Sequence, residues 1–177
     1  LCGVSSIDSD GIVKIIGGGL KKPRNVLDCG NSGTTVRLLL GLLAGQGISA
    51  NFIGDKSLSS RPMKRILLPL SKMGVKFDAV DGRLPISLNV NGIVGINYKS
   101  EIASAQVKSA ILLAGLGANS RTIYSEHYKT RDHTEIMLSE LGADIEINRN
   151  IMINKMVELF QPFEYNVPGD PSSAAFF

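Results

Sequence analysis

Apolar residues recur along this chain with two spacings, one typical of buried helices and one with the period of two expected for strands. Three segments place small or hydroxyl residues directly before an apolar run: NSGTT before VRLLLGLLAG, SAQ before VKSAILLAGLGA, and DPSS before AAFF. Ser and Thr are favoured helix N-caps, so we expect a buried helix after each segment. Ser32, Ser104 and Ser172 are 72 and 68 residues apart, which indicates an internal repeat.

A second helix and further strands follow each of the first two of these helix-starting segments, which we call helix openings. Strands are predicted in SANFI (residues 49–53) and RTIYSE, and helices in RPMKRILLPLSKMG and RDHTEIMLSELGA. Gly74 and Gly142 are expected to end these helices in the left-handed conformation. LPISLNV and IMINK alternate like strands and follow turns at Asp81-Gly82 and Arg149-Asn150. The unit is therefore β-α-β-α-β-β, and GIVKIIGGG is predicted to be the last strand of an earlier copy.

The predicted fold class is α/β, with repeated β-α-β-α-β-β units packed around buried helices. Units arranged about a shared axis would direct the N-termini of these helices to one face of the domain. Exposed N–H groups and the positive ends of the helix dipoles would then form an anion-binding face.

Composition narrows the class of protein. The 177 residues have a formal net charge of +3, too small to indicate a nucleic-acid partner. Two cysteines, Cys2 and Cys29, are too few for a disulfide framework, so we expect a reducing compartment, the cytoplasm. No apolar run reaches 18 residues, so no membrane span is predicted. The chain begins without Met and ends on SSAAFF, an unfinished helix, from which we expect a segment of a longer protein.

Polar residues at the helix openings are the candidates for function. Arg61 and Arg131 stand where equivalent helices are predicted to begin, which is unfavourable for a cation and indicates an anionic partner. Gln106, on an apolar helix, needs a hydrogen-bond partner from the backbone or from a ligand. The other candidates are Asn31, Ser32, Gly33, Thr34, Ser104 and Lys108, of which Ser32, Thr34 and Ser104 also suit a purely structural N-cap.

Several kinds of chemistry lack support in the sequence. There is no GxxxxGK[ST] loop, no GxGxxG segment that opens a helix, and no His/Cys cluster spaced for zinc. His133 is expected to have a local structural role. Glu101, Asp132 and Glu135 do not form a recognisable carboxylate pair. The sequence thus offers no recognisable nucleotide-binding or zinc-binding motif.

Five motifs in order give the chain a family resemblance: LDCGNSGTTVRLLLGLLAG, RPMKRILLPLSKMGVKF, SAQVKSAILLAGL, RDHTEIMLSELGA and VPGDPSSAAFF. Together they resemble the 5-enolpyruvylshikimate-3-phosphate (EPSP) synthase family over essentially the whole chain. SAQVK and RDHTE resemble the second of its two sequence classes. The resemblance implies transfer of the enolpyruvyl group of phosphoenolpyruvate to the 5-hydroxyl of shikimate 3-phosphate, with release of phosphate, in aromatic amino acid biosynthesis and without a cofactor.

The resemblance also implies an organisation. The family's two domains each consist of three such units, in an inverse α/β barrel, and the full-length protein is expected to be a monomer. Residues 1–166 would supply most of the inner domain, namely the tail of unit one and units two and three. Residues 167–177 would cross into the second domain. The proton-transferring Asp, Glu and Lys residues and a Lys-Ser-Arg motif have no counterpart in this chain, so the chain alone is expected to be inactive.

Site residues follow from the same motifs. The resemblance implies that phosphoenolpyruvate is bound by Gly33, Arg61 and Gln106, with Asn31 and Thr34 beside them. Shikimate 3-phosphate would be bound by Ser104, Ala105, Gln106 and Arg131. The class motifs point toward glyphosate tolerance, whereas Gly33 leaves room for the inhibitor, so that response stays open.

The segment GDKSLSSRPMKR invites a different assignment, because Lys56, Ser57 and Arg61 imitate the absent Lys-Ser-Arg motif. Its place before the second helix of unit two argues against that role, and Lys64 and Arg65 are expected to be solvated. Two alternatives remain for the whole chain. One is a UDP-N-acetylglucosamine enolpyruvyl transferase, whose usual loop cysteine neither cysteine matches, and the other is a non-catalytic anion-binding module.

Overall fold

The computed structural model describes residues 5–9, 12–16, 18–154, 164 and 166. Cys2, the third predicted helix opening at residues 170–173 and the predicted domain crossing at residues 167–177 lie outside these described residues. Helices are α1 Gly33–Gly45, α2 Lys56–Ser59, α3 Lys64–Lys72, α4 Ala105–Gly115 and α5 His133–Glu140. Strands are β1 Ser5–Ser9, β2 Ile12–Ile16, β3 Leu27–Asp28, β4 Ala50–Ile53, β5 Lys76–Ala79, β6 Ile86–Asn89, β7 Asn97–Ser100, β8 Thr122–Glu126, β9 Ile145–Ile147 and β10 Ile151–Ile153.

The predicted β-α-β-α-β-β unit is confirmed twice. It occurs as β3-α1-β4-α3-β5-β6 and again as β7-α4-β8-α5-β9-β10. The two sheets have the orders β3-β4-β6-β5 and β7-β8-β10-β9, and in each the first pair of strands is parallel and the other pairs are antiparallel. Before them, β1 and β2 form an antiparallel pair, as the last two strands of a unit do. The short helix α2 was not predicted.

Local signals account for the element boundaries. Ser32 and Ser104 are the N-caps of α1 and α4, and their Oγ atoms accept hydrogen bonds from the Thr35 and Val107 amides at 3.1 and 3.4 Å. Each hydroxyl satisfies one of the amides that a helix start leaves without a partner. Gly74 and Gly142 follow α3 and α5 with φ of +98° and +81°, as helix-ending glycines should.

The first helices of the two units, α1 and α4, pack against each other in the same direction. Near their N-termini the Gln106 side chain donates to Thr34, and at the other end Gly117 lies directly against the Gly45 carbonyl. Both pairs join residues 72 apart, so equivalent positions of the repeat meet. The helices are buried, with Val36, Leu40 and Ile111 fully enclosed. For α1 and α4, the expectation that buried helices pack together and direct their N-termini to one face is confirmed.

Close approach of these helices depends on glycine. A Cβ added at Gly41 would overlap the Ala110 backbone of α4, where only a movement of the whole helix gives space. We expect Gly41→Ala to lower the free energy of unfolding by about 2 kcal/mol, within the range for overpacked cores. Chemical denaturation followed by circular dichroism measures it. The control is Gly19→Ala, since a Cβ at Gly19 meets nothing within 4 Å; an equal loss in both variants would contradict the packing argument.

Among the described helices, none is long and apolar enough to cross a membrane.

Candidate anion-binding site

The N-termini of α1 and α4 lie side by side and bring two predicted groups of residues together. Gly33 and Thr34 begin α1, and Ala105 and Gln106 begin α4. Gln106 Nε2 donates to Thr34 Oγ1 over 2.8 Å, and Gln106 Oε1 accepts from Arg37 Nη1 over 2.8 Å. The expectation that Gln106 would need the backbone or a ligand was wrong, because two side chains of the neighbouring helix satisfy it. Both helix termini therefore present their N–H groups to the same space.

Arg37 is a residue of this site that the sequence analysis missed. It extends from α1, is 6% exposed, and its Nε has no hydrogen-bond partner within the described structure. Burial lowers the pKa of Arg37, and the charges of Arg65 and Arg61 lower it further. Among the described residues no carboxylate pairs with this guanidinium. A buried cation without a counter-charge is costly, so the site is electrostatically prepared for an anion.

Gly33 lies between two guanidinium groups. A Cβ built at Gly33 would be 2.7 Å from Arg37 Nη1 and 3.4 Å from Arg61 Nη1. The missing side chain thus leaves both arginines close to the first turn of α1, where a helix leaves backbone N–H groups without intrahelical partners. Arginine suits this position because its planar fork of donors matches the oxygens of a carboxylate or phosphate.

Arg61 is oriented by a relay of hydrogen bonds rather than by an ion pair. Its Nη2 donates to Asn31 Oδ1 over 2.8 Å, and Asn31 Nδ2 donates to Asp55 Oδ2 over 2.6 Å. A weaker contact of 3.4 Å joins Arg61 Nη2 to Ser57 Oγ. Arg61 lies between α2 and α3, and α3 begins only at Lys64, so the expectation that Arg61 begins this helix was wrong. Asp55 was not singled out from the sequence, although its position before α2 is typical of an N-cap.

The Asp55 carboxylate should titrate at unusually low pH. The Leu58 amide and then the Asn31 side chain hold the pKa of Asp55 below its ordinary value. A lowered folded-state pKa means that these bonds contribute stability above the ordinary carboxyl pKa of about 3.9 and lose it as pH falls through the folded-state value. We expect Asn31→Ala to raise the pKa of Asp55 toward 3.9, measured by carbon-13 NMR of the carboxyl group. Asn51→Ala, at a separate exposed position, should leave it unchanged; a shift there as well would contradict the relay.

Arg131 takes no part in the hydrogen bonds of this cluster in the described part of the chain. It is exposed in the loop between β8 and α5, and within the described structure no hydrogen bond joins it to Ser104 or Gln106. His133 is exposed at the first position of α5, and Glu101 and Asp132 are exposed as well. Glu135 is different: it is 2% exposed and shares Lys108 with Glu126. Glu126, which shares this lysine, had not been singled out from the sequence.

The fold and this cluster define an α/β repeat domain that presents two helix N-termini and two arginines at one face, and among the described residues neither arginine forms a direct salt bridge. A model of the family described as EPSP synthase (3-phosphoshikimate 1-carboxyvinyltransferase) matches residues 3–177. This chain belongs to the EPSP synthase family.

Individual relatives and a solved structure support this family membership. The chain is 48% identical over 184 residues to the 3-phosphoshikimate 1-carboxyvinyltransferase of Persephonella marina, with 99% of this chain and 42% of that protein covered. It is 52% identical over 167 residues to the protein of the same name from Parvibaculum lavamentivorans, with 90% and 37% covered. The structure matches EPSP synthase from Acinetobacter baumannii with a TM-score of 0.88 and 42% identity, over 99% of this chain and 41% of that one. The chain thus spans about two fifths of the length of these relatives.

Proposed function

We propose that a full-length protein containing this chain transfers the enolpyruvyl group of phosphoenolpyruvate to the 5-hydroxyl of shikimate 3-phosphate. In this reaction a C–O bond forms between the 5-hydroxyl oxygen and C2 of the enolpyruvyl group, and the bond from C2 to the phosphate oxygen breaks. Phosphate leaves, and the hydroxyl proton is lost to a base. The chain would contribute binding and positioning, and the proton-transferring groups would come from other segments.

The observation that supports the proposal is the pair of arginines on either side of Gly33, neither of which forms a direct salt bridge among the described residues. Phosphoenolpyruvate has a phosphate and a carboxylate close together, and two adjacent guanidinium groups match that charge distribution. We assign Gly33, Arg61 and Gln106 to phosphoenolpyruvate, with Asn31 orienting Arg61 and Thr34 orienting Gln106. Arg37, which bonds to Gln106, joins this group.

Shikimate 3-phosphate is assigned to the N-terminus of α4 and to Arg131. Ser104 caps the helix through its hydroxyl oxygen, so the hydroxyl proton stays available for a phosphate oxygen. Ala105 and Gln106 follow in the first turn, where the helix dipole favours negative charge. Gln106 lies between the two proposed subsites, because its amide reaches α1 while its backbone belongs to α4. Two polyanions can be held together only where positive potential offsets their repulsion.

The organisation expected for the family completes the proposal. We place residues 1–166 in one substrate-binding domain and residues 167–177 at the crossing to a second domain, in a monomeric, cytoplasmic protein. The two complete units and the coverage of about two fifths of the relatives support this division. The unpaired Cys29 thiol is in keeping with a reducing compartment.

Phosphate release tests the function. The full-length protein should release inorganic phosphate from phosphoenolpyruvate only when shikimate 3-phosphate is also present, with one product molecule formed per phosphate. UDP-N-acetylglucosamine in place of shikimate 3-phosphate should give no release. Release with the nucleotide sugar would overturn the assignment in favour of that transferase, and binding of both anions without turnover would indicate a non-catalytic module.

A further inference from the structure

Lys108 is a buried cation that joins three separate elements. It is the fourth residue of α4 and is 1% exposed. Its Nζ lies 3.1 Å from Glu126 Oε1 at the end of β8 and 2.6 Å from Glu135 Oε1 in the first turn of α5. It also donates to the Thr130 carbonyl oxygen over 3.4 Å, in the loop between β8 and α5. One side chain thus contacts the strand before the loop 127–132, the loop itself and the helix after it.

Glu126 fixes the same loop from its other side. Its Oε1 accepts from the Thr130 amide over 3.0 Å, and its Oε2 accepts from the Thr130 hydroxyl over 2.7 Å. Burial alone would raise the pKa of Glu126, but the hydrogen bonds from Thr130 and from Lys108 prevail and lower it. Glu126 therefore stays ionised near neutral pH and continues to bind Thr130. The residue held in this way directly precedes Arg131.

The other end of the network lies at the N-terminus of α4. The Lys108 amide donates to the Ser104 carbonyl over 3.1 Å, so the lysine is one helical turn beyond the residue that caps the helix. A second contact, between Ser109 Oγ and Thr134 Oγ1 at 2.6 Å, joins α4 to α5 without touching the loop. Lys108 and Thr130 thus form a continuous connection between the cap residue Ser104 and the neighbour of Arg131.

Stability alone is a weak reason for this arrangement. Burial of a lysine between two carboxylates costs hydration free energy that the ion pairs offset only in part. Proteins in which apolar residues of similar volume replace such a network are often equally stable. A buried ionic network does, however, specify one arrangement of the elements it joins, because each partner has defined geometry.

We propose that Lys108 is a positioning residue for shikimate 3-phosphate, which acts by holding the loop of Arg131 against the N-terminus of α4. This inference rests on the proposed function. It makes the affinity for shikimate 3-phosphate depend on the Lys108–Glu126–Thr130 network, while phosphoenolpyruvate, assigned to Arg61 and Gly33, does not depend on it.

Steady-state kinetics of the full-length protein test this inference with two variants. Thr130→Val removes the hydroxyl bond to Glu126 and keeps the side-chain shape. We expect it to raise KM for shikimate 3-phosphate about threefold to tenfold, the equivalent of one hydrogen bond, and to leave KM for phosphoenolpyruvate within about twofold. The second is a triple variant, Lys108→Met, Glu126→Gln, Glu135→Gln. It removes the three charges together, so no carboxylate is left buried without its cation. We expect it to raise KM for shikimate 3-phosphate by at least about tenfold.

Ser109→Ala is the matched control, because it removes the other α4–α5 contact and should change neither KM. Unchanged KM for shikimate 3-phosphate in Thr130→Val would overturn the inference, and so would an equal rise in both KM values. If the triple variant does not fold, Thr130→Val decides alone. Failure of the proposed function itself would give a different result from failure of this inference, because the unsubstituted protein would then release no phosphate from the two substrates.

Discussion

Replacing Arg61 by alanine is expected to raise KM for phosphoenolpyruvate by about 100-fold while KM for shikimate 3-phosphate changes little. A hydrogen bond to a charged group contributes about 1.5–3 kcal/mol, and a guanidinium forms two such bonds to a phosphate. At about 1.4 kcal/mol per factor of ten, even the lower value for two bonds gives the stated change. Arg61 is prepared for this role because Asn31 and Asp55 hold its guanidinium before a ligand arrives. Steady-state kinetics with each substrate varied in turn measure the effect.

Two comparison variants sharpen the test. Lys56→Ala removes an equal charge from the exposed start of α2, five residues away, and should have less than about a threefold effect, as expected for a solvated charge. Arg131→Ala should show the opposite selectivity, with KM for shikimate 3-phosphate raised more than KM for phosphoenolpyruvate. If Arg61→Ala and Arg131→Ala weakened both anions alike, the site would be a general anion-binding face and the assigned subsites would be wrong.

Much of the fold was predictable because its signals are local. N-cap serines, helix-ending glycines and alternating strands each act within a few residues, and they recur at a fixed offset, so two copies support each other. Ser32 and Ser104 cap their helices as the sequence indicated. The helix α2 was missed because it has only four residues and its single buried side chain, Leu58, leaves no periodic pattern.

The site was less predictable, since its contacts join distant parts of the chain. Arg37 and Gln106 are 69 residues apart, and Lys108 and Glu126 are 18 apart. Motif comparison identifies residues but not the side chains that orient them, so Asp55 and Glu126 were overlooked. For Arg37 one signal was available, because it interrupts an apolar helix and, like Gln106, needs a polar partner there.

Gly33→Ala is expected to weaken the use of phosphoenolpyruvate without lowering the stability of the fold. A methyl group at Gly33 would be 2.7 Å from Arg37 Nη1, too close to persist, whereas its distance of 3.4 Å from Arg61 Nη1 is an ordinary contact. The Arg37 guanidinium is the flexible end of a side chain, so it can move and the fold survives. Alanine is also a better helix residue than glycine, by up to about 1 kcal/mol. We expect the thermal midpoint to be unchanged or slightly raised, while kcat/KM for phosphoenolpyruvate falls by about 100-fold, because displaced binding groups are costly.

A double-mutant cycle with Arg37→Met identifies the cause of that loss. If the methyl group acts by displacing Arg37 from Gln106, then Gly33→Ala should have little further effect in a protein that already has Arg37→Met, because the displaced group is absent. If instead the methyl group contacts the ligand directly, the two losses in kcat/KM should multiply. Multiplicative losses would contradict the role given to Arg37 and leave Gly33 as a contact residue alone. Non-additive losses would show that the glycine is required because it lets a buried arginine approach the start of α1.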